Sequence, residues 1–307
     1  MRDFRLVLFT LMVTYILLVL GGLVHATGSS LACPDWPLCY GQLFPEMVGG
    51  VLVEHSHRLV ASLVGLLVLI LFASLWTRKE EPLLRRWAFF GVVLVCFQGG
   101  LGGLTVIYRL PVAVSTVHLG TALLFFSWLI FMAFRVRYRA DVISDSSSTS
   151  PHRGKIRVAA GLVYAQILLG ALVRHTGSGL ACNVDLISCS GSWMVSSGPQ
   201  LLHMAHRGLA FITIGFVVAM TLPVIKEARL RGQKAVRGLA VASHILVCVQ
   251  TVLGFLTVAS FISVPIVTVH LGLGVLLLAD LVALYFVMGP MSVIGNSKLQ
   301  FDSGVVR

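Results

Sequence analysis

Four histidines stand at matched places in the two halves of this chain, each near one end of a long apolar stretch: His57 and His118, then His206 and His270. An ionisable side chain at membrane depth is costly, so its presence there points to a function. Two facing imidazoles inside a helical bundle suit a haem iron or another metal, because the neutral ring offers a nitrogen lone pair. Arg58 follows His57 and Arg207 follows His206. A guanidinium there matches a carboxylate such as a haem propionate bidentately. Taken singly, a membrane histidine is often an interhelical hydrogen bonder and an arginine can snorkel to the interface. Repetition of the His–Arg set favours ligands.

Glu54 breaks the symmetry. It lies three residues before His57, so one helical face presents both. The aligned residue in the second half is His203. A carboxylate beside a bound macrocycle can act as a base or stabilise a developing cation. It can equally cap the first turn of a helix. The residues alone leave both open. Gln98, Gln166 and Gln250 read as helix-to-helix hydrogen bonders. His25, His175, His203, His244, His152 and Asp280 receive no role.

The elements that must position these groups follow from hydropathy. Of the 307 residues, 57% are hydrophobic and 11% charged, which excludes an ordinary pair of water-soluble domains. Apolar runs fall near 6–24, 59–76, 87–107, 112–134, 158–173, 208–225, 238–258 and 264–288. Most are long enough for about 30 Å of hydrocarbon, and they lack the alternation of a barrel. The first run exceeds a signal-peptide core and is followed by residues 21–28 that recur at 170–177, so it counts as a helix. The net charge of +11 is not a nucleic-acid signature. Every Lys and Arg except Arg58, Arg109, Arg174 and Arg207 falls at the N-terminus, in 77–86, 135–157 or 226–237, or in the tail. That is the positive-inside pattern, with both termini cytoplasmic and membrane lipid as neighbour.

The two halves are copies. Thr27-Gly28-Ser29 matches Thr176-Gly177-Ser178, Leu31-Ala32-Cys33 matches Leu180-Ala181-Cys182, and Val117-His118-Leu119-Gly120 matches Val269-His270-Leu271-Gly272. Four helices per copy keep both copies in one orientation, a parallel repeat. The fold class is therefore all-α: a polytopic membrane protein with eight transmembrane helices as two tandem four-helix bundles. Residues 1–134 form the first bundle, 135–157 a cytoplasmic linker, 158–290 the second bundle and 291–307 a cytoplasmic tail. Cys33 and Cys39 share the first outer loop, Cys182 and Cys189 the matching third one. Facing an oxidising compartment, they suggest one disulfide per loop, with a metal or redox pair as the alternative. Cys96 and Cys248, inside helices, read as buried packing residues.

Taken together these residues resemble one family, haem A synthase. The carriers are Gly28-Ser29, Cys33-Pro34-Asp35-Trp36-Pro37-Leu38-Cys39, Glu54-His55-Ser56-His57-Arg58, His118, Cys182, Cys189, His206-Arg207 and His270. The resemblance implies a plasma-membrane oxidoreductase that converts haem O to haem A by oxidising the C8 methyl to formyl, for terminal oxidase assembly. It implies that His57, His118 and Arg58 bind the haem substrate, that His206, His270 and Arg207 hold a resident haem b, and that Glu54 is catalytic. It implies a Cys33–Cys39 disulfide. Expected partners are haem O, an electron donor or acceptor, haem O synthase and oxidase assembly factors, with no nucleic acid. The competing class is a di-haem, bis-histidine membrane cytochrome b using the same four histidines. A transporter ranks last, since the polar groups cluster near the outer face instead of at a broken helix in the midplane.

Overall fold

The structure is a computed structural model and describes residues 1–77, 81–138 and 151–289. The expected tail at 291–307 and linker residues 139–150 lie outside the described residues. Eight long helices follow in order: α1 (Arg2–Ala26), α2 (Gly49–Trp76), α3 (Pro82–Ile107), α4 (Val112–Tyr138), α5 (Arg153–His175), α6 (Gly198–Leu230), α7 (Lys234–Ala259) and α8 (Val264–Val287). All eight are long and apolar enough to cross a membrane. Even the 23 residues of α5 rise about 35 Å, more than a hydrocarbon core. The helices start where the sequence allows it. Proline opens α3, α6 and α8 in the first turn, where its missing N–H costs nothing. Ser197 caps α6 by accepting from the Gln200 amide. Helices α2 and α6 run outward well beyond their apolar runs, which lifts the His-bearing turns above the apolar span.

Helices α1 to α4 pack as a ring, each against the next and α4 back against α1; α5 to α8 repeat the arrangement. The rings meet through α1, α4, α5 and α8. The contact is reciprocal. Tyr15 on α1 donates to the Gly272 carbonyl on α8, and Tyr164 on α5 donates to the Gly120 carbonyl on α4. These four residues are repeat partners, so the seam has an approximate two-fold relation. Leu18, Leu123, Phe126 and Ile130 from the first ring join the buried core of the second. A second core, around Val64, Leu71, Leu129 and Met132, fills the inner half of the first ring.

Cys96 and Cys248 correct the sequence expectation: both are exposed. They lie on α3 and α7, the helices whose main packing is on neighbours within their own ring and which stand at the periphery. A thiol behaves as a small apolar group, so apolarity did not specify burial here.

Candidate functional site

In each ring, two imidazoles approach from alternate helices. His57 on α2 and His118 on α4 lie close enough to interact electrostatically, and so do His206 on α6 and His270 on α8. Space for the rings comes from the neighbouring helix. A Cβ on Gly21 would stand 3.1 Å from His57 Cε1, and one on Gly170 would stand 2.9 Å from His206 Cε1. Glycine lets each imidazole lie against backbone. The rings of His118 and His270 sit near Gly102 and Gly254 in the same repeat-matched way, with more room. Nδ1 of His118 and His270 is enclosed without a hydrogen-bond partner, and the Leu17 main chain lies beside the His57 ring. Their main chains are held by glutamines: Gln98 donates to the His118 carbonyl and to Thr121 Oγ1, and Gln250 to the His270 carbonyl.

The outer loops are built twice on one plan. The Cys33–Cys39 and Cys182–Cys189 disulfides close them. Cys39 and Cys189 each start a two-way backbone bridge, to Gln42 and Ser192. Asp35 accepts from the Tyr40 and Gly41 amides, and Asp185 from the Ile187, Ser188 and Gly191 amides and the Ser188 hydroxyl. These bonds, led by the Gly41 amide for Asp35 and the Ser188 hydroxyl for Asp185, hold both carboxyls below the usual carboxylate range. An Asp-x-x-x-Cys-x-Gly pattern in both loops is the sequence signal for these aspartates, whose loop-closing role was not assigned from sequence. The first loop also folds over its ring. A Cβ on Gly103 of α3 would meet the Trp36 indole at 2.9 Å, one residue from the glycine that faces His118.

Glu54 and Arg58 are both bound to the first outer loop. Glu54 is buried, and both carboxylate oxygens are engaged: one accepts from the Cys33 amide at 2.8 Å, the other from Arg58 Nη2 at 2.6 Å. Arg58 also donates to the carbonyls of Asp35 at 2.7 Å, Leu38 at 2.5 Å and Cys33 at 3.3 Å. The pair clasps the disulfide loop onto α2. The reason is geometric. Glu54 and Arg58 are four residues apart, the spacing of an ion pair on one helix face, and the loop places its carbonyls around the guanidinium. His55, unassigned from the sequence, lies against the same loop; its Nε2 bonds the Leu43 carbonyl and a ring nitrogen lies within 4.8 Å of both sulfurs.

The second ring lacks the clasp. His203 replaces Glu54 and is buried with Nδ1 unpartnered. Arg207 donates Nη1 to the Ser188 carbonyl at 2.8 Å, while Nη2 is buried without a partner. A buried donor with no acceptor is costly. An anionic group such as a propionate would satisfy it. Paired imidazoles and glycine clearances in each ring, with this orphaned guanidinium nitrogen in the second, are residues that would fit a haem between two histidines.

Known proteins resemble this chain over most of its length. The COX15-CtaA family model, described as cytochrome oxidase assembly protein, matches residues 4–51 and 46–282. A protein of Bacillus licheniformis named heme A synthase is 30% identical over 264 residues, covering 82% of this chain and 85% of its own. Its namesake in Bacillus pumilus is 30% identical over 281 residues, covering 87% and 90%. One from Staphylococcus haemolyticus is 29% identical over 299 residues, covering 91% and 92%.

Proposed function

This chain belongs to the COX15-CtaA family of cytochrome oxidase assembly proteins, and from that premise we propose that it is a haem A synthase, a multi-pass membrane oxidoreductase that converts haem O to haem A by oxidising the C8 methyl to a formyl group. Residues 1–134 serve as the reacting half, where His57 and His118 bind the haem substrate. Residues 158–290 hold a resident haem b through His206 and His270, with Arg207 Nη2 available to a propionate. Bound haem supplies the redox chemistry; the protein supplies position, electrostatics and exclusion of water. The chain lies in the plasma membrane with cytoplasmic termini, as the charge distribution of its loops supports. An external electron donor or acceptor, haem O synthase and oxidase assembly factors are its expected partners.

The observation that carries the division of labour is the asymmetry around one helix turn. Both halves offer two imidazoles. Among the described residues, only the first has a buried carboxylate–guanidinium pair tied to a disulfide loop whose Trp36 reaches α3 beside His118. Glu54 is thus read as a positioning residue. It fixes the Cys33 main chain and orients Arg58, and through them the wall over the substrate half. A resident cofactor needs no such wall, because nothing there has to be admitted, oriented and released.

Extraction and chromatography of haem from the purified protein tests the reading. Haem O and haem A beside haem b are expected. Haem b alone would support the di-haem cytochrome instead. His206→Ala and His270→Ala should each lose the resident haem b spectrum; full retention in both would remove their assignment as ligands.

A further inference from the structure

His203 has no part in the reaction as drawn above, yet it stands where the first ring keeps Glu54. It is 3% exposed, and its Nδ1 is buried with no hydrogen-bond partner among the described residues. It lies three residues before His206 and four before Arg207 on α6, so one helix face presents all three. His203 is close enough to Arg207 and to His206 to interact electrostatically with both. Arg207 Nη2 is a second buried nitrogen here without a partner. We propose that His203 and Arg207 together form a carboxylate seat that holds a propionate of the haem in the second ring, and that the exchange of Glu54 for His203 decides which ring retains its haem.

Donor supply and charge both lead there. An imidazole can carry its proton on Nδ1, and a buried N–H without an acceptor is costly. The same holds for Arg207 Nη2. Asp185 acts on Arg207 electrostatically, but both its oxygens are taken by the Ile187, Ser188 and Gly191 amides and the Ser188 hydroxyl. Two donors one helix turn apart are satisfied at once by a single carboxylate, which accepts at each of its two oxygens. Their place suits a haem. With iron held by His206, His203 stands about 4.5 Å further along α6, three residues at ~1.5 Å each. That is the side of the outer loop, where the polar edge of an amphipathic macrocycle belongs. The first ring differs in charge. Asp35 and Arg58 mirror Asp185 and Arg207, but Glu54 adds a negative charge and occupies Arg58 Nη2 at 2.6 Å. A propionate at that place would meet a like charge and a guanidinium already engaged. The second ring thus keeps its haem, and the first lets its haem exchange, as a substrate site requires.

This inference rests on the reading of the second ring as a haem b site. The test uses the full-length, detergent-solubilised holoprotein in a His57→Ala background, so that haem leaves from the second ring. Loss of the b-type spectrum to excess apomyoglobin gives the release rate without any turnover. His203→Leu should release haem about tenfold faster than the parent, the worth of one hydrogen bond to a charged group. His203→Gln, which keeps a donor, should stay near the parent rate. His203→Glu should release haem at least as fast as His203→Leu, since its carboxylate would take Arg207 as Glu54 takes Arg58. The Gln and Glu side chains are of one size, so that pair carries the comparison even where His203→Leu does not assemble. Reloading with haem dimethyl ester separates a haem propionate from any other anion, such as a lipid phosphate: the ester should leave the parent and His203→Leu at equal rates. Equal release of ordinary haem from the parent, His203→Leu and His203→Glu would overturn the proposal. So would an ester that still leaves His203→Leu faster than the parent. Neither result touches the ligand assignment, which His206→Ala tests separately. A wild-type protein without a b-type spectrum would overturn the haem b reading and this proposal with it.

Discussion

Glu54→Ala should open the first outer loop without unfolding the protein. Glu54 is 4% exposed, its Arg58 partner has a side chain 13% exposed, and the two meet at 2.6 Å. Removing one member of a buried pair costs about 3–5 kcal/mol, because the other charge is left uncompensated. Arg58 retains three carbonyl acceptors, which places the loss at the low end. The Cys33 amide loses its acceptor as well. A local cost of about 3 kcal/mol shifts loop opening roughly a hundredfold, since each 1.4 kcal/mol is a factor of ten. The assay is the rate at which a soluble phosphine reduces Cys33–Cys39, followed by mass mapping. Cys182–Cys189, on a loop with no such pair, is the internal control. Its rate should stay at the wild-type value while the first rises about a hundredfold and haem A output falls. Glu54→Gln keeps an acceptor for the Cys33 amide and should lie between. Wild-type reduction rates at both disulfides in Glu54→Ala would refute the clasp. Normal haem A output would refute its part in turnover.

The glycine clearances predict a graded series: Gly170→Ala, whose Cβ would stand 2.9 Å from His206, should displace the ring and lose haem b, whereas Gly254→Ala at 3.7 Å from His270 should retain it, as optical titration will report. Non-reducing mass mapping should find Cys33–Cys39 and Cys182–Cys189 bonded, with Cys96 and Cys248 open to a membrane-permeant alkylating reagent. Both loop aspartates have depressed folded-state pKa values, so their contribution is present above the ordinary carboxylate range and is lost only as pH falls through the depressed values. Protease nicking of the outer loops should therefore stay at its neutral-pH rate at pH ~4, near the ordinary aspartate value, and rise only in stronger acid; Asp185→Asn should raise it already at neutral pH.

Sequence by itself determined the span, the copy number and the donors. Long apolar runs can satisfy their backbones in lipid only as helices, so eight helices followed from hydropathy, and the repeat followed from matched residues such as Val117-His118-Leu119-Gly120 and Val269-His270-Leu271-Gly272. The four histidines, the loop cysteines and the Glu54/His203 difference were legible for the same reason: each is a polar or sulfur-bearing exception in an apolar pattern. Tertiary structure decided what these groups touch. Spacing put Glu54 on the face of His57; the fold-back of the disulfide loop gave one of its oxygens the Cys33 amide, and gave Arg58, which holds the other, the carbonyls of Asp35 and Leu38. Gln166 looked like any interhelical glutamine until α5 and α6 set it against His206, 40 residues away. The seam between the rings depends on Tyr15 meeting Gly272, separated by 257 residues. Cys96 and Cys248 went astray because hydropathy cannot tell lipid from protein interior: both are apolar surroundings, and only the packing of α3 and α7 at the periphery distinguishes them. The pattern along one helix fixes its own axis and face, whereas its neighbours are chosen by packing between segments far apart in the chain.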